Sequence, residues 1–306
     1  MSEVNPVDFN GYLEAERLQV EEALERAVRK IERRDDVTAD EASVIRYGVM
    51  GGGKRLRPIL CVTAYVASGG GCRSASVYDL AASVELVHAY SLMHDDLPCM
   101  DDAELRRGRP AAHIEHGVVT AVWGAAKLIP LAAIQALEAA RLLGCEEALA
   151  RSVSKTLMRA AGGGGMVGGQ WMDLMGEGRA LGPEELNRLH QMKTGALLAA
   201  SLEVGSVAAE ASDKVRAALV EYGSAVGLAF QIVDDILDET SSSEALGKNP
   251  SDAQLQKSTY TSLHGLAGAK IRARTEIERA LDALATARIE CDELISLAHF
   301  VVERGR

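Results

Sequence analysis

Aromatic side chains make up only 4% of this 306-residue chain. Sheets are rich in aromatic and β-branched residues. Here the 47% apolar content comes instead from long Ala/Leu/Val stretches mixed with Glu and Arg, at 14–34, 128–143 and 271–288. That is the material of packed helices. Alternating strand patterns are scarce, and no repeat of 20 to 50 residues is present. Cysteine is also sparse. Cys61, Cys72, Cys99, Cys145 and Cys291 form an odd, scattered set without a C-x-x-C pair or a His/Cys ligand spacing, so they read as reduced thiols and not as a disulfide framework. Nowhere do 18 uncharged apolar residues occur together, and Met1–Pro6 lacks the basic start and apolar run of a signal peptide. The expectation is a soluble cytoplasmic protein. Positive charge is in deficit, with a formal net charge of −11. Nucleic acid demands a basic surface and is excluded as a partner. An anionic substrate must find its Lys and Arg locally.

The length allows one large domain or two ordinary ones, and the uniform composition favours a single domain over 1–306. An amphipathic helix is predicted over about 7–34, a second around 40–49 ending at Gly51-Gly52-Gly53, and a third with Pro58 in its first turn. The segment 75–96 stops where Pro98 removes an amide and biases Leu97 away from helical angles. A loop over 99–117 leads to helices near 118–143 and 146–161. Six glycines in Gly162–Gly165 and Gly168-Gly169 mark either a helix break or a close approach of backbones or ligand. Pro183 opens a helix containing Lys193-Thr194, 213–238 is helical, 239–258 reads as a polar flap, and two more helices close the chain.

Two acidic clusters stand out: His94-Asp95-Asp96-Leu97-Pro98-Cys99-Met100-Asp101-Asp102 and Asp234-Asp235-Ile236-Leu237-Asp238. One such cluster alone is equally a solvated acidic turn. Each of these, however, closes a strongly apolar run, 84–93 or 226–233, so its first carboxylates lie near a core. There they would repel one another and their pKa values would rise. A bound cation relieves that cost. Mg²⁺ takes oxygen ligands and is usually held by a few carboxylates plus substrate phosphate oxygens, so the clusters read as two halves of one magnesium site for a diphosphate.

Cations occur where a departing diphosphate needs them. Gly52-Gly53-Lys54-Arg55-Leu56-Arg57-Pro58 presents charge at a glycine-loosened helix start, where free amides also favour anions. Arg106-Arg107 follows the first cluster, Lys193 lies mid-chain, and Lys248 and Lys257 lie in the flap. His88 is two helical turns before Asp95 and on roughly its face.

With these segments in order, the chain resembles the trans-polyprenyl diphosphate synthases, in particular the short-chain bacterial type. The matching stretches are Gly52–Pro58, Glu85–Asp102 with Leu105–Gly108, Gly168-Gly169-Gln170 with Asp173, Lys193–Ala196, Phe230-Gln231 with Asp234, Asp235 and Asp238, Leu246–Lys248 and Lys257–Tyr260. The resemblance implies an all-α isoprenoid-synthase bundle around a central apolar cavity, usually a homodimer, and three Mg²⁺ ions with substrate bound. Asp95, Asp96 and Asp101 resemble the motif for two ions, and Asp234, with Asp235 and Asp238, the motif for the third. Arg106, Lys193, Lys248 and Lys257 match the grip on an allylic diphosphate. Lys54, Arg57, His88 and Arg107 match the isopentenyl diphosphate site. Thr194 and Gln231 match polar groups that face the allylic cation, and the resemblance implies that Gln170 and Asp173 line the same cavity. The implied reaction is ionisation of an allylic diphosphate, attack by the isopentenyl double bond, and proton loss to the departing diphosphate.

Tyr90, with Val87 and Ser91 nearby, matches the floor that stops growth at fifteen carbons, so farnesyl diphosphate is the expected product and geranylgeranyl diphosphate the alternative. One departure is local. Relatives carry Gly-Asp-Ala-Leu where this chain has Gly124-Ala125-Ala126-Lys127-Leu128, with Ala126 at the Asp position. A lysine in this apolar run must snorkel, find a carboxylate or lose its charge. A non-catalytic partner subunit of the same fold is the alternative class. A terpene cyclase would have no use for Lys54, Arg57 and His88.

Overall fold

A computed structural model describes residues 9–240 and 258–303. Helix follows helix: α1 (Phe9–Glu32), α2 (Ala39–Val49), α3 (Leu56–Ala67), α4 (Ala75–Asp95), α5 (Ala112–His116), α6 (Val118–Leu142), α7 (Glu147–Ala161), α8 (Met166–Gly176), α9 (Pro183–His190), a π-helical turn (Gln191–Gly195), α10 (Ala196–Ala208), α11 (Asp213–Thr240), α12 (Tyr260–Ala287) and α13 (Asp292–Glu303). The chain is an all-α bundle, as its composition implies.

Local signals account for the boundaries. Thr38 caps α2 through a reciprocal box with Glu41, which satisfies two of the amides a helix start leaves unpaired. Along α1, Val20, Leu24, Val28 and Ile31 are buried at the three- and four-residue steps of one helix face. α4 is different, being buried nearly all round, from Val77 and Leu80 to Val87 and Met93. It is the central helix, packed against α1, α2, α3 and α6. Helix α6 is long and apolar enough to cross a membrane. In this fold it lies against α4 and α7 through Ala121, Ala125, Leu128, Ala132 and Ala136.

The stretch 99–117, expected as a loop, contains structure. Leu105–Arg106 (β1) pairs antiparallel with Arg109–Pro110 (β2), Arg106 opposite Arg109, and α5 follows. Two-residue strands carry no period to read. Both readings of the glycine-rich stretch hold, for different residues. Gly162–Gly165 separates α7 from α8, while Gly168 and Gly169 lie inside α8 where backbones meet. A Cβ on Gly169 would stand 2.1 Å from the Lys193 backbone nitrogen. The lysine-threonine pair expected inside the helix opened by Pro183 sits on a π turn, a distortion common at functional sites.

Candidate active site

One cavity of about 1020 Å³ opens among α4, α8, α9, the π turn, α10 and α11. On α4 it is met by His88, Ser91, Leu92 and Asp95, steps of three, one and three that keep a single helix face. The helix stops at Asp95, and the chain curls back so that Asp101 N–H donates to the Asp95 carbonyl at 2.8 Å. The curl brings Asp101 and Asp102 to the same cavity. From α11 come Phe230, Gln231, Asp234, Asp235 and Asp238. Both acidic clusters thus border one space.

The carboxylates are not equivalent. Asp95 is buried, and burial raises its pKa, opposed by Lys193 and reinforced by Asp101. Lys193 Nζ lies 3.8 Å from Asp95 and 2.7 Å from Asp173, so the lysine spans two acids across the cavity. Asp96 is rotated away from this face. Its carboxylate takes Arg106 Nε at 2.9 and 3.1 Å and also Arg106 Nη2. Burial raises its pKa and the guanidinium opposes the rise. The pair fixes the β1–β2 hairpin against the end of α4.

A second polar group lies beyond the first. Arg57 Nη1 is 3.3 Å from His88 Nε2. Arginine only donates, so Nε2 accepts and the histidine proton sits on Nδ1, 3.4 Å from Ser91 Oγ. Burial, followed by the charge of Arg57 and of Arg107, holds His88 well below the usual histidine range. Burial also lowers the pKa of Arg57, whose Nε is enclosed without a hydrogen-bond partner. An anion answers that deficiency. Arg107 reaches the Gly52 carbonyl and lies over Gly53, where a Cβ would stand 2.6 Å from the guanidinium carbon. Arg55, between the two cations singled out from sequence, is turned inward at φ 52°. It pairs with Glu85 at 2.7 Å and Glu21 at 2.8 Å.

Thr194 Oγ1 donates to Gln231 Oε1 at 3.0 Å, joining the π turn to α11. Gln170 is buried, gives Nε2 to the Ser91 carbonyl at 3.0 Å and receives His94 Nδ1 at 3.2 Å. Asp173 lines the cavity beside it. Arg57, His88, Asp95, Asp101, Arg106, Arg107, Lys193, Thr194, Gln231, Asp234, Asp235 and Asp238 all border the one cavity. Lys54 does not; its ammonium lies over the Phe300 ring of α13, 5.4 Å from the centroid. Of the three positions expected beneath the reacting carbon, Ser91 borders the cavity, Val87 is core, and Tyr90 stacks on His94 with centroids 5.4 Å apart. Lys248 and Lys257 lie outside the described residues.

Sequence reasoning did not single out His190 and gave no role to Ser258 and Thr259 within the matching Lys257–Tyr260 stretch; all three border the cavity. A buried histidine three residues before Lys193 carries no signature of its own. The departure at Ala126-Lys127 is away from the cavity. Ala126 is exposed, and Lys127 Nζ, on the neighbouring face of α6, finds the carboxylate it needs, donating to Glu41 Oε2 and to the Asp36 carbonyl at 2.6 Å each.

Among the described residues no three His, Cys, Asp or Glu side chains form a ready-made cage. Mg²⁺ rarely uses one; a carboxylate or two, waters and substrate phosphate are its usual shell. Hard acidic oxygens from α11 and from the end of α4, with Arg57 Nε enclosed and unpaired nearby, mark the class: an all-α protein whose polar-walled cavity suits a metal and a polyanion.

Comparison with known proteins agrees. The polyprenyl synthetase family model matches residues 41–297, and the chain belongs to that family. It is 38% identical to farnesyl diphosphate synthase of Escherichia coli K12, over 98% of this chain and 100% of the relative. Its fold matches an FPP/GFPP synthase from Zymomonas mobilis with a TM-score of 0.82 and 31% identity, covering 95% of this chain and 99% of that one. It also matches a Helicobacter pylori geranyltransferase complexed with magnesium and isoprenyl diphosphate, with a TM-score of 0.75 and 29% identity over 93% and 95% of the two chains.

Proposed function

We propose that this protein is a short-chain trans-prenyltransferase that condenses isopentenyl diphosphate with dimethylallyl and geranyl diphosphates and releases farnesyl diphosphate and inorganic diphosphate. One observation carries the reading. A single cavity joins two facing carboxylate clusters to two separate cationic groups, Arg106 with Lys193 and Arg57 with Arg107. Two diphosphate substrates need two such grips.

Asp95 and Asp101 with Asp234 and Asp238 hold magnesium, three ions when substrate is bound. Mg²⁺ there neutralises the diphosphate and makes it a leaving group. Lys193, now shared by Asp173 and Asp95, turns to the allylic diphosphate with Arg106. Arg57, Arg107 and neutral His88 hold the isopentenyl diphosphate; Lys54, over the Phe300 ring and off the cavity wall, is not given a place in this grip. The paired Thr194 and Gln231 oxygens face the allylic carbon as positive charge develops, in line with their 3.0 Å contact at the cavity wall. Tyr90 and Ser91 limit product length. A second copy of the chain covers the exposed apolar face of Ile114, Val118, Val119, Val122 and Trp123, which is unusual on a monomer surface.

The test is incubation of purified protein with Mg²⁺, geranyl diphosphate and isopentenyl diphosphate, followed by chromatography of the dephosphorylated alcohols. Farnesol supports the reading, geranylgeraniol corrects the product, a hydrocarbon indicates a cyclase, and no product indicates a non-catalytic subunit. Light scattering on the same preparation gives the oligomeric state.

A further inference from the structure

The second acidic cluster is divided by burial. Asp234 and Asp238 are one helical turn apart and half-buried at the cavity wall, whereas Asp235 is 3% exposed. Asp235 Oδ2 accepts the backbone N–H of Tyr260 at 2.8 Å. Tyr260 is the first residue of α12, after the N-cap Thr259. The amide at that position has no acceptor within its own helix. The capping box of α12 engages the Thr259 and Ser262 amides and leaves this one out. Asp235 supplies the acceptor from another helix, and a carboxylate at a helix start also meets the positive end of its dipole.

The surroundings of Tyr260 form a corner. Its ring stacks on His190, centroids 5.5 Å apart, and its hydroxyl donates to Asn187 Oδ1. Buried His190 points Nε2, which has no hydrogen-bond partner, at the same Asp235 oxygen from 3.8 Å. Two residues before Tyr260, Ser258 Oγ accepts Leu181 N–H at 2.9 Å and donates to the Arg179 carbonyl at 3.2 Å. Ser258 and Thr259 border the cavity. The corner thus joins α9, α11 and the start of α12 to the cavity wall.

We infer that Asp235 is a positioning residue and not a magnesium ligand: it pins the first amide of α12, and with it the Ser258–Thr259 rim, while Asp234 and Asp238 face the ions. The inference rests on the magnesium reading above. Asparagine separates the two roles. Asp235→Asn keeps an oxygen acceptor for the Tyr260 amide and removes the anionic ligand, whereas Asp235→Ala removes both.

Two measurements, neither needing turnover, test it. Residue-resolved hydrogen exchange of the metal-free protein should show the Tyr260 amide little changed in Asp235→Asn and about tenfold or more faster in Asp235→Ala. Unchanged exchange in folded Asp235→Ala overturns the anchor. Mn²⁺ binding in the presence of inorganic diphosphate, followed by electron paramagnetic resonance, should stay within about twofold of wild type for Asp235→Asn and weaken about tenfold or more for Asp234→Asn. Equal weakening in the two asparagine variants makes Asp235 a ligand and overturns the inference, even if Asp235→Ala does not fold. Should wild type bind no Mn²⁺ with diphosphate, the magnesium reading falls, and amide exchange alone decides the anchor.

Discussion

Replacing Gly169 by alanine tests whether the closeness of α8 to the π turn sustains the site. The added Cβ would meet Lys193 N at 2.1 Å, Lys193 Cα at 2.4 Å and the Met192 carbonyl carbon at 2.7 Å. All three are backbone atoms, so no side chain can rotate away. Relief requires about 1 Å of separation between the two segments, and overpacking of this kind costs about 1–3 kcal/mol. For a chain of this size each kcal/mol lowers the melting temperature by about 2–4 °C. The functional loss should be larger than the stability loss suggests. The segment pushed away carries Lys193 and Thr194, and a misplacement of about 1 Å at a reacting centre costs on the order of 100-fold in rate.

Gly163→Ala and Gly164→Ala are matched controls, because a Cβ at either position meets no atom within 4 Å. Both should stay within about 1 kcal/mol of wild type and keep full activity. Calorimetry and steady-state kinetics on the three variants decide the matter. A Gly169→Ala protein with wild-type melting and kcat/KM would refute the reasoning.

Asp95→Ala and Asp234→Ala should each lower turnover by about two orders of magnitude or more with helix content intact by circular dichroism. Near-normal turnover in either folded variant would remove the two-cluster site. Lys127→Ala should lose about 1 kcal/mol, because its partners are a backbone carbonyl and a half-buried carboxylate, and adding Ala126→Asp should leave KM for both substrates unchanged. A sharp fall in kcat of that stable double variant would show a recruited lysine. His190 has its pKa lowered to about 4 by burial. The unfolded chain therefore takes up this proton first, and His190 should erode stability from about pH 6.5 down to 4, by at most about 1.4 kcal/mol per pH unit. The raised pKa values of Asp95 and Asp96 act in the opposite sense. They are common to wild type and His190→Gln, so the difference between the two melting-versus-pH curves isolates His190, and parallel curves would contradict the sign. Tyr90→Ala should lengthen the product, since removing the ring unsupports His94 and the Gln170 it holds at the cavity wall. Unchanged product from an active variant would place the floor elsewhere.

What could be read from the sequence depended on the length scale of the signal. The helices were legible because burial recurs along them every three or four residues, and the end of α4 because Pro98 forbids continuation. That both acidic clusters reach one cavity was legible too, since each closes an apolar run and so sits beside the core. The hairpin at Leu105–Pro110 was not, for two residues per strand leave no alternation. Neither was the π turn, which lies where Gly169 of another helix comes close to Lys193.

The least legible property was the division of labour inside each aspartate pair. Adjacent carboxylates are chemically identical in the sequence, and a helix rotates them about 100° apart. That rotation points Asp95 into the cavity and Asp96 to Arg106. It also gives Asp235 to a main-chain amide twenty-five residues on. A backbone N–H has no letter in the sequence, so only the fold can reveal a partner of that kind. Lys54 and Arg57 part company for a different reason. Arg55 at φ 52° turns the chain before α3 begins, sending Lys54 toward Phe300 and Arg57 toward His88. Runs of like charge in an all-α protein are therefore poor guides to individual ligands, and the helical phase of each member decides which charge meets the substrate and which holds the wall in place.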